Sequence, residues 1–218
     1  MPGVPSEKQE VKSDDQQPAA GGKKVKLWPW LLGVTLPLYV LDQVTKFWVI
    51  RTFSDPPEGW NHTQDPPIEV IPGFLNWVRV HNQGVAFGMG NGTEWAPLVF
   101  PFISIAAFTL ITLGLKKGFF VGKTGILAVS LLVCGIVGNL TDRLVQGSLL
   151  GYMKGAPLWE RLKAGYVVDF IDVKLPLYDK IVPSSGGHWP SFNVADSCIC
   201  IAAVLLFISG WRAESKKS

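Results

Sequence analysis

The chain has 218 residues, 48% of them hydrophobic, a mean hydropathy of +0.26 and a formal net charge of +3. The apolar residues fall in runs long enough to cross a bilayer, and four such runs in so short a chain leave too little to cover them in a soluble core. The basic excess sits in clusters beside these runs, where it serves as an orientation signal, so it implies no nucleic-acid partner.

Residues 1–26 are rich in Pro, Gly, Gln, Lys and Asp and read as a disordered tail. Four spans are predicted at about 27–52, 95–115, 124–146 and 191–211, so 27–212 forms one membrane domain and 213–218 a second short tail. The first run is too long for the apolar region of a cleaved signal peptide, and it carries Asp42 and Lys46. Lys23, Lys24 and Lys26 precede span one, Lys116, Lys117 and Lys123 fill the loop after span two, and Arg212, Lys216 and Lys217 follow span four. These clusters put both termini and the short loop in the cytoplasm, and the segments 53–94 and 147–190 outside.

Three of the spans hold residues that hydrocarbon disfavours. Span one has Asp42 and Lys46, span three has Asn139, Asp142 and Arg143, and span four has Asn193 and Asp196. Asp42 lies fifteen residues beyond Leu27, about 22 Å from the cytoplasmic edge of a core about 30 Å thick. Asp142 and Arg143 stand near the outer end of their span, and Asn193 and Asp196 near the outer start of theirs, so all three groups meet at one depth. An intramembrane ionisable residue is a functional-site candidate by default. The spacings are helical: Asp42 and Lys46 are i,i+4, Asn139 and Arg143 are i,i+4, and Asn193 and Asp196 are i,i+3. For the first two pairs, interhelical glue is an equally good reading. Asp196 has no basic residue on its own span.

The outer segments add two β-like runs. IEVIPGFLNWVRVHNQGVAFGMG (68–90) alternates apolar and polar residues around glycines and reads as a short sheet at the membrane surface. AGYVVDFIDVKLPLY (164–178) carries Asp169 and Asp172, which in a strand of period two point to opposite faces or straddle a bend, one into a site and one out; two solvated loop acids are the competing reading. Cys134, Cys198 and Cys200 lie inside apolar spans without CxxC spacing and read as small core residues. His62, His81 and His188 lack the spacing of metal ligands, so no metal or other cofactor is expected. Ser184, Ser185 and His188 lie close together, but no oxyanion framework accompanies them.

Five short blocks occur in order: DQVTK (42–46), NQGVAF (82–87), GNLTDR (138–143), VVDF (167–170) and FNVAD (192–196). With this topology the chain resembles the bacterial lipoprotein signal peptidases, signal peptidase II. The resemblance implies four transmembrane helices, a small extracytoplasmic β-sheet cradle and an interfacial loop or helix. It implies an inner-membrane aspartyl endopeptidase that removes the signal peptide from diacylglyceryl-modified prolipoproteins, just before the lipidated cysteine, and that globomycin inhibits. It makes Asp169 and Asp196 the catalytic acids, and Asp42, Lys46, Asn139, Asp142, Arg143 and Asn193 supporting residues. Asn82, Gly84, Ala86 and Phe87 match the sheet that cradles substrate. Prolipoprotein and membrane lipid are the expected partners of a monomer. One departure stands out: Leu144 to Tyr166 separates two blocks that are usually close. This insertion is expected to form an amphipathic interfacial helix, and it leaves Asp142 as an alternative partner for Asp196.

A rival reading is a proton- or ion-coupled transporter, since intramembrane acids mark such paths too. Transporter sites lie near the midplane between inverted repeats. Here the acids gather toward one face, and the two halves show no repeat.

Overall fold

The computed structural model describes residues 26–57, 60–84, 95–120 and 122–214. It is mostly helical, with one three-stranded antiparallel sheet. The first expected span comprises α1 (Trp28–Trp30), a π turn (Leu31–Thr35) and α2 (Leu36–Thr52). Pro37 explains the interruption: it cannot donate into the helical ladder and crowds the carbonyl four residues back, and the wider π turn precedes it. Three other helices, α3 (Ala96–Lys116), α4 (Gly122–Leu149) and α7 (Val194–Glu214), are each long and apolar enough to cross a membrane. Their bounds lie within a few residues of the expected ones.

The outward surface of these helices is apolar. Phe102, Ile105 and Leu110 of α3 and Phe207 of α7 are exposed, as helices facing lipid should be. Inside, α4 and α7 approach closely because small residues line their seam. Ala128, Cys134, Cys198 and Ala202 are buried there with Leu131. A Cβ on Gly138 would stand 2.8 Å from Asp42 Oδ2 and 3.0 Å from the Ala195 side chain, so only glycine lets α2, α4 and α7 meet at that level. Cys134 and Cys198 are buried as expected, but Cys200 is exposed, because two residues of helix, about 200°, turn it away from the α4–α7 seam.

The sheet has the order β1 (Ile68–Ile71), β2 (Leu75–Asn82), β3 (Val167–Val173). Trp77 pairs with Ile171 and Val80 with Asp169, so β2 holds one extra residue between those pairs. This bulge reverses the facing of the rest of β2. Arg79 and His81 now share a face with Tyr166 and Val168, where the His81 and Tyr166 rings stack 3.6 Å apart. Arg79 donates to the carbonyls of Ile50 and Phe53 at 3.3 and 2.8 Å, tying the sheet to the end of α2, and pairs with Asp55.

The insertion departs from a simple interfacial helix. Helix α4 runs on to Leu149, a 3₁₀ turn follows at Gly151–Met153, and α5 (Leu158–Lys163) has only six residues. Gly155, at φ +86°, and Pro157, the N-cap, set where it begins. Its two ends are closed by glycines: a Cβ on Gly147 would strike the carbonyl of Arg161, and one on Gly165 the carbonyl of Arg143. The chain thus leaves α4 and returns to it, delivering β3 beside Asp142 despite the extra length. A last short helix, α6 (Tyr178–Ile181), precedes α7.

Candidate functional site

The polar residues of three helices and the sheet meet around one lysine. Lys46 Nζ lies 2.8 Å from Asp42 Oδ2 and 3.0 Å from Asp142 Oδ2, and donates to Asn139 Oδ1 at 3.1 Å. All three charged side chains are sealed from solvent. Gln43, a neighbour of Asp42 that the blocks displayed without suggesting its role, donates to Asp142 Oδ1 at 3.2 Å and to Asp42 Oδ2 at 3.1 Å.

Each carboxylate also grips a second element. Asp42 Oδ1 accepts the Ala195 N–H at 2.9 Å, which supplies α7 with a partner for one of its unpaired first-turn donors. Asp142 Oδ2 accepts the Val168 N–H at 3.1 Å and so holds β3. The charges therefore brace the two elements that carry Asp169 and Asp196.

Those two acids are linked by amides. Asn193 Nδ2 donates to Asp169 Oδ1 at 2.7 Å, and Asn82 Nδ2 to Asp169 Oδ2 at 2.9 Å. Asn139 Nδ2 donates to Asp196 Oδ1 at 2.7 Å, and Asn193 Nδ2 reaches Asn139 Oδ1 at 3.3 Å. Asn193 and Asp196 also cap α7 reciprocally: the Asp196 N–H donates to Asn193 Oδ1 at 2.9 Å, and the Asn193 N–H to Asp196 Oδ2 at 3.2 Å. Their i,i+3 spacing thus has a local cause, which also aims the Asp196 carboxylate along the start of the helix.

Asp169 is 2% exposed. Its burial, reinforced by the negative charge of Asp196, raises it well above the usual carboxylate range, although the Asn82 and Asn193 amides pull the other way. Asp172 turns to the other side of β3, as alternation requires. It accepts from Asn76 Nδ2 at 2.9 Å and pairs with His188.

Asp169 and Asp196 line a cavity of about 440 Å³ between α3, α4, α7 and the end of the sheet. Asn82, Gly84, Asn139 and Arg143 line it too, and its remaining wall is largely apolar. Asp142 does not reach it, being spent on Lys46, Gln43 and Val168. Arg143 does not pair with Asn139, as the glue reading expected. Their side chains diverge, and Arg143 donates to the carbonyls of Gln83 and Gly84 at 3.3 and 2.7 Å, with its guanidinium 3.2 Å from the centre of the Phe100 ring. Phe100 escaped the sequence reading because an aromatic on a lipid-facing helix carries no signal. Ala86 and Phe87 lie outside the described residues. The serine grouping is not assembled: Ser185 Oγ donates to the Val182 carbonyl at 2.7 Å, while His188 faces Asp172.

A family profile described as signal peptidase (SPase) II matches residues 34–212. A lipoprotein signal peptidase of Janthinobacterium sp. (strain Marseille) is 33% identical over 190 residues, covering 86% of this chain and 91% of that protein. Another, of Ralstonia nicotianae, is 33% identical over 206 residues, covering 93% and 96%. Among solved structures, a bacterial membrane enzyme determined by the in meso method at 2.3 Å resolution superposes with a TM-score of 0.63 at 27% identity, covering 86% of this chain and 91% of that one. These matches give no support to the transporter reading. With a profile spanning most of its length and relatives of this identity over nearly all of theirs, the chain belongs to the signal peptidase II family.

Proposed function

We propose that this multi-pass membrane protein removes signal peptides from prolipoproteins, and that it does so as an aspartyl endopeptidase with Asp169 and Asp196 as the reacting pair. The observation that carries the catalytic type is the amide-linked placement of these two acids on one cavity wall. Two carboxyls so placed share a proton more readily than they ionise together. Asp169, the more deeply buried of the two, is the acid. Asp196 is the base.

In this scheme Asp196 takes a proton from water as the water oxygen attacks the scissile carbonyl carbon. Asp169 gives its proton to the carbonyl oxygen, and a gem-diol forms. Collapse of the gem-diol breaks the C–N bond: the proton on Asp196 passes to the leaving amine, and the diol hydroxyl returns a proton to Asp169. Asn82, Asn139 and Asn193 hold the carboxyls at the geometry these transfers need. Arg143 shapes the cavity wall through the Gln83 and Gly84 carbonyls and lends it positive charge.

The substrate is the diacylglyceryl-modified form. Its acyl chains stay in lipid and bring the adjacent peptide bond to the acids, so remote binding energy positions the reacting centre. The helical stretch Trp28–Thr52 completes a four-span bundle, with both termini cytoplasmic and the cavity at the outer face of the inner membrane, and the protein acts as a monomer. The test is cleavage of lipidated and unlipidated prolipoprotein by the purified protein. Asp169→Asn and Asp196→Asn should each abolish cleavage with protein yield unchanged, and the lipidated substrate should be strongly preferred. Full activity in either variant refutes the pair, and equal cleavage of both forms refutes the lipid-delivery role.

A further inference from the structure

Three residues beyond Asp169 lies a polar cluster that the hydrolytic scheme does not use. Both carboxylate oxygens of Asp172 stand 2.9 Å from Nδ1 of His188, and Oδ2 also accepts from Asn76 at 2.9 Å. Nδ1 faces two acceptors, so it carries the proton. Asp172 is 7% exposed, whereas the His188 side chain is 41% exposed. A buried carboxylate on β3 is therefore tied to an imidazole on the segment that crosses in front of it.

That segment is the outer wall of the cavity. Trp189, Pro190, Ser191 and Phe192 all line it, and Asn193 and Asp196 follow directly. At its far end Phe192 is well anchored: its carbonyl accepts from Phe170 and Ile171 at 3.1 and 2.8 Å, and its N–H donates to the Ile171 carbonyl at 3.1 Å. At its near end the Trp189 N–H donates to the Val173 carbonyl at 2.8 Å, and the Trp189 ring lies 5.3 Å from that of Tyr178. The approach to this end is Gly186–Gly187, both in the left-handed region at φ +60° and +90°. Consecutive glycines give a backbone little stiffness of its own. The Leu175 N–H to the Gly187 carbonyl at 2.8 Å and the Trp189 N–H to the Val173 carbonyl hold the chain on either side of position 188, and a side-chain anchor between them adds to that hold. The first side chain able to supply it is His188.

We propose that His188 and Asp172 are a positioning pair: they pin the Trp189–Phe192 wall to the strand that carries Asp169, so that the peptide beside the scissile bond rests on a surface in register with the acids. This rests on the peptidase reading above. Neither residue lines the cavity, so neither acts on the reacting atoms. Loss of the pair loosens the wall in ground and transition states alike, which raises KM and spares kcat.

The test uses the full-length protein in detergent with lipidated prolipoprotein. His188→Ala should raise KM roughly tenfold, the lower range for a hydrogen bond to a charged group, with kcat close to wild type. His188→Asn sets an amide nitrogen near the position of Nδ1 and should recover most of the loss. Asp172→Asn should resemble His188→Ala, and the double variant should be no worse than either single one. Wild-type KM in His188→Ala, no rescue by asparagine, or additive losses would each overturn the pair. Hydrogen exchange at the Trp189 and Phe192 amides gives a readout independent of cleavage. Trp189 should exchange faster in His188→Ala and regain protection in His188→Asn, while Phe192 stays protected; unchanged exchange at Trp189 overturns the pinning whatever the activity. Full turnover by Asp196→Asn in the same assay would instead overturn the peptidase scheme and leave the exchange result to judge the pair alone.

Discussion

Replacing Lys46 by methionine tests whether the buried charges are architecture or ornament. Methionine keeps the length of the stem and removes the ammonium. Lys46 is 1% exposed, and it lies 2.8 Å from Asp42 and 3.0 Å from Asp142, both at 0%. Breaking a buried pair costs about 3–5 kcal/mol, because the remaining charge loses its compensation. For a chain of this size that lowers the melting temperature by roughly 6–20 °C. The damage is not local. Asp42 holds the Ala195 N–H of α7, Asp142 holds the Val168 N–H of β3, and Lys46 itself holds Asn139, the partner of Asp196. Cleavage should therefore fall at temperatures where the variant is still folded. Adding Asp142→Asn removes one stranded charge, so the double variant should melt higher than Lys46→Met alone while remaining impaired. The assays are thermal unfolding in detergent and prolipoprotein cleavage well below the melting point. A Lys46→Met protein that melts within a few degrees of wild type and cleaves at the wild-type rate would refute the bracing role.

Two further outcomes are expected. Gly165→Ala drives its new methyl into the carbonyl of Arg143, with the Leu162 carbonyl at 3.0 Å, and backbone cannot yield as a side chain can; it should cost about 1–3 kcal/mol, whereas Gly151→Ala, with nothing within 4 Å among the described residues, should melt like wild type, and equal melting of the two would refute the close return of the insertion to α4. His81 is lowered to about 3 by its burial and by the Arg79 charge, so below pH 6.5 the unfolded chain binds a proton that the folded one refuses. Its contribution is full above 6.5 and is lost as pH falls toward 3, at up to about 1.4 kcal/mol per pH unit. His81→Phe should flatten the fall in melting temperature between pH 7 and 5, and an unchanged slope would refute the assignment.

Much of this molecule was legible before any coordinates. Long apolar runs must be helices when they meet hydrocarbon, because only a helix satisfies its own backbone there; hence α3, α4 and α7 fall where hydropathy puts them. Asp42, Lys46, Asn139, Asp142, Arg143, Asn193 and Asp196 announced themselves because polar groups at that depth are costly, and helical rise alone set them at one level. The opposite facings of Asp169 and Asp172 followed from strand alternation. What sequence could not decide was which polar group meets which, since that depends on rotations about helix axes and on register. The insertion left Asp142 as an alternative to Asp169 as the partner of Asp196; Asp142 is spent on Lys46, Gln43 and the Val168 N–H, while the Asn193 amide joins Asp169 to the Asn139–Asp196 group. Arg143 left Asn139 for the Gln83 and Gly84 carbonyls and the Phe100 ring, partners more than forty residues away along the chain. Asn82 reached Asp169 only because a one-residue bulge in β2 reversed its facing, and a bulge leaves no mark in a pattern of period two. Local periodicity sets the depth and face of each residue; pairing across the chain belongs to packing, where one glycine such as Gly138 or one extra strand residue decides the neighbour.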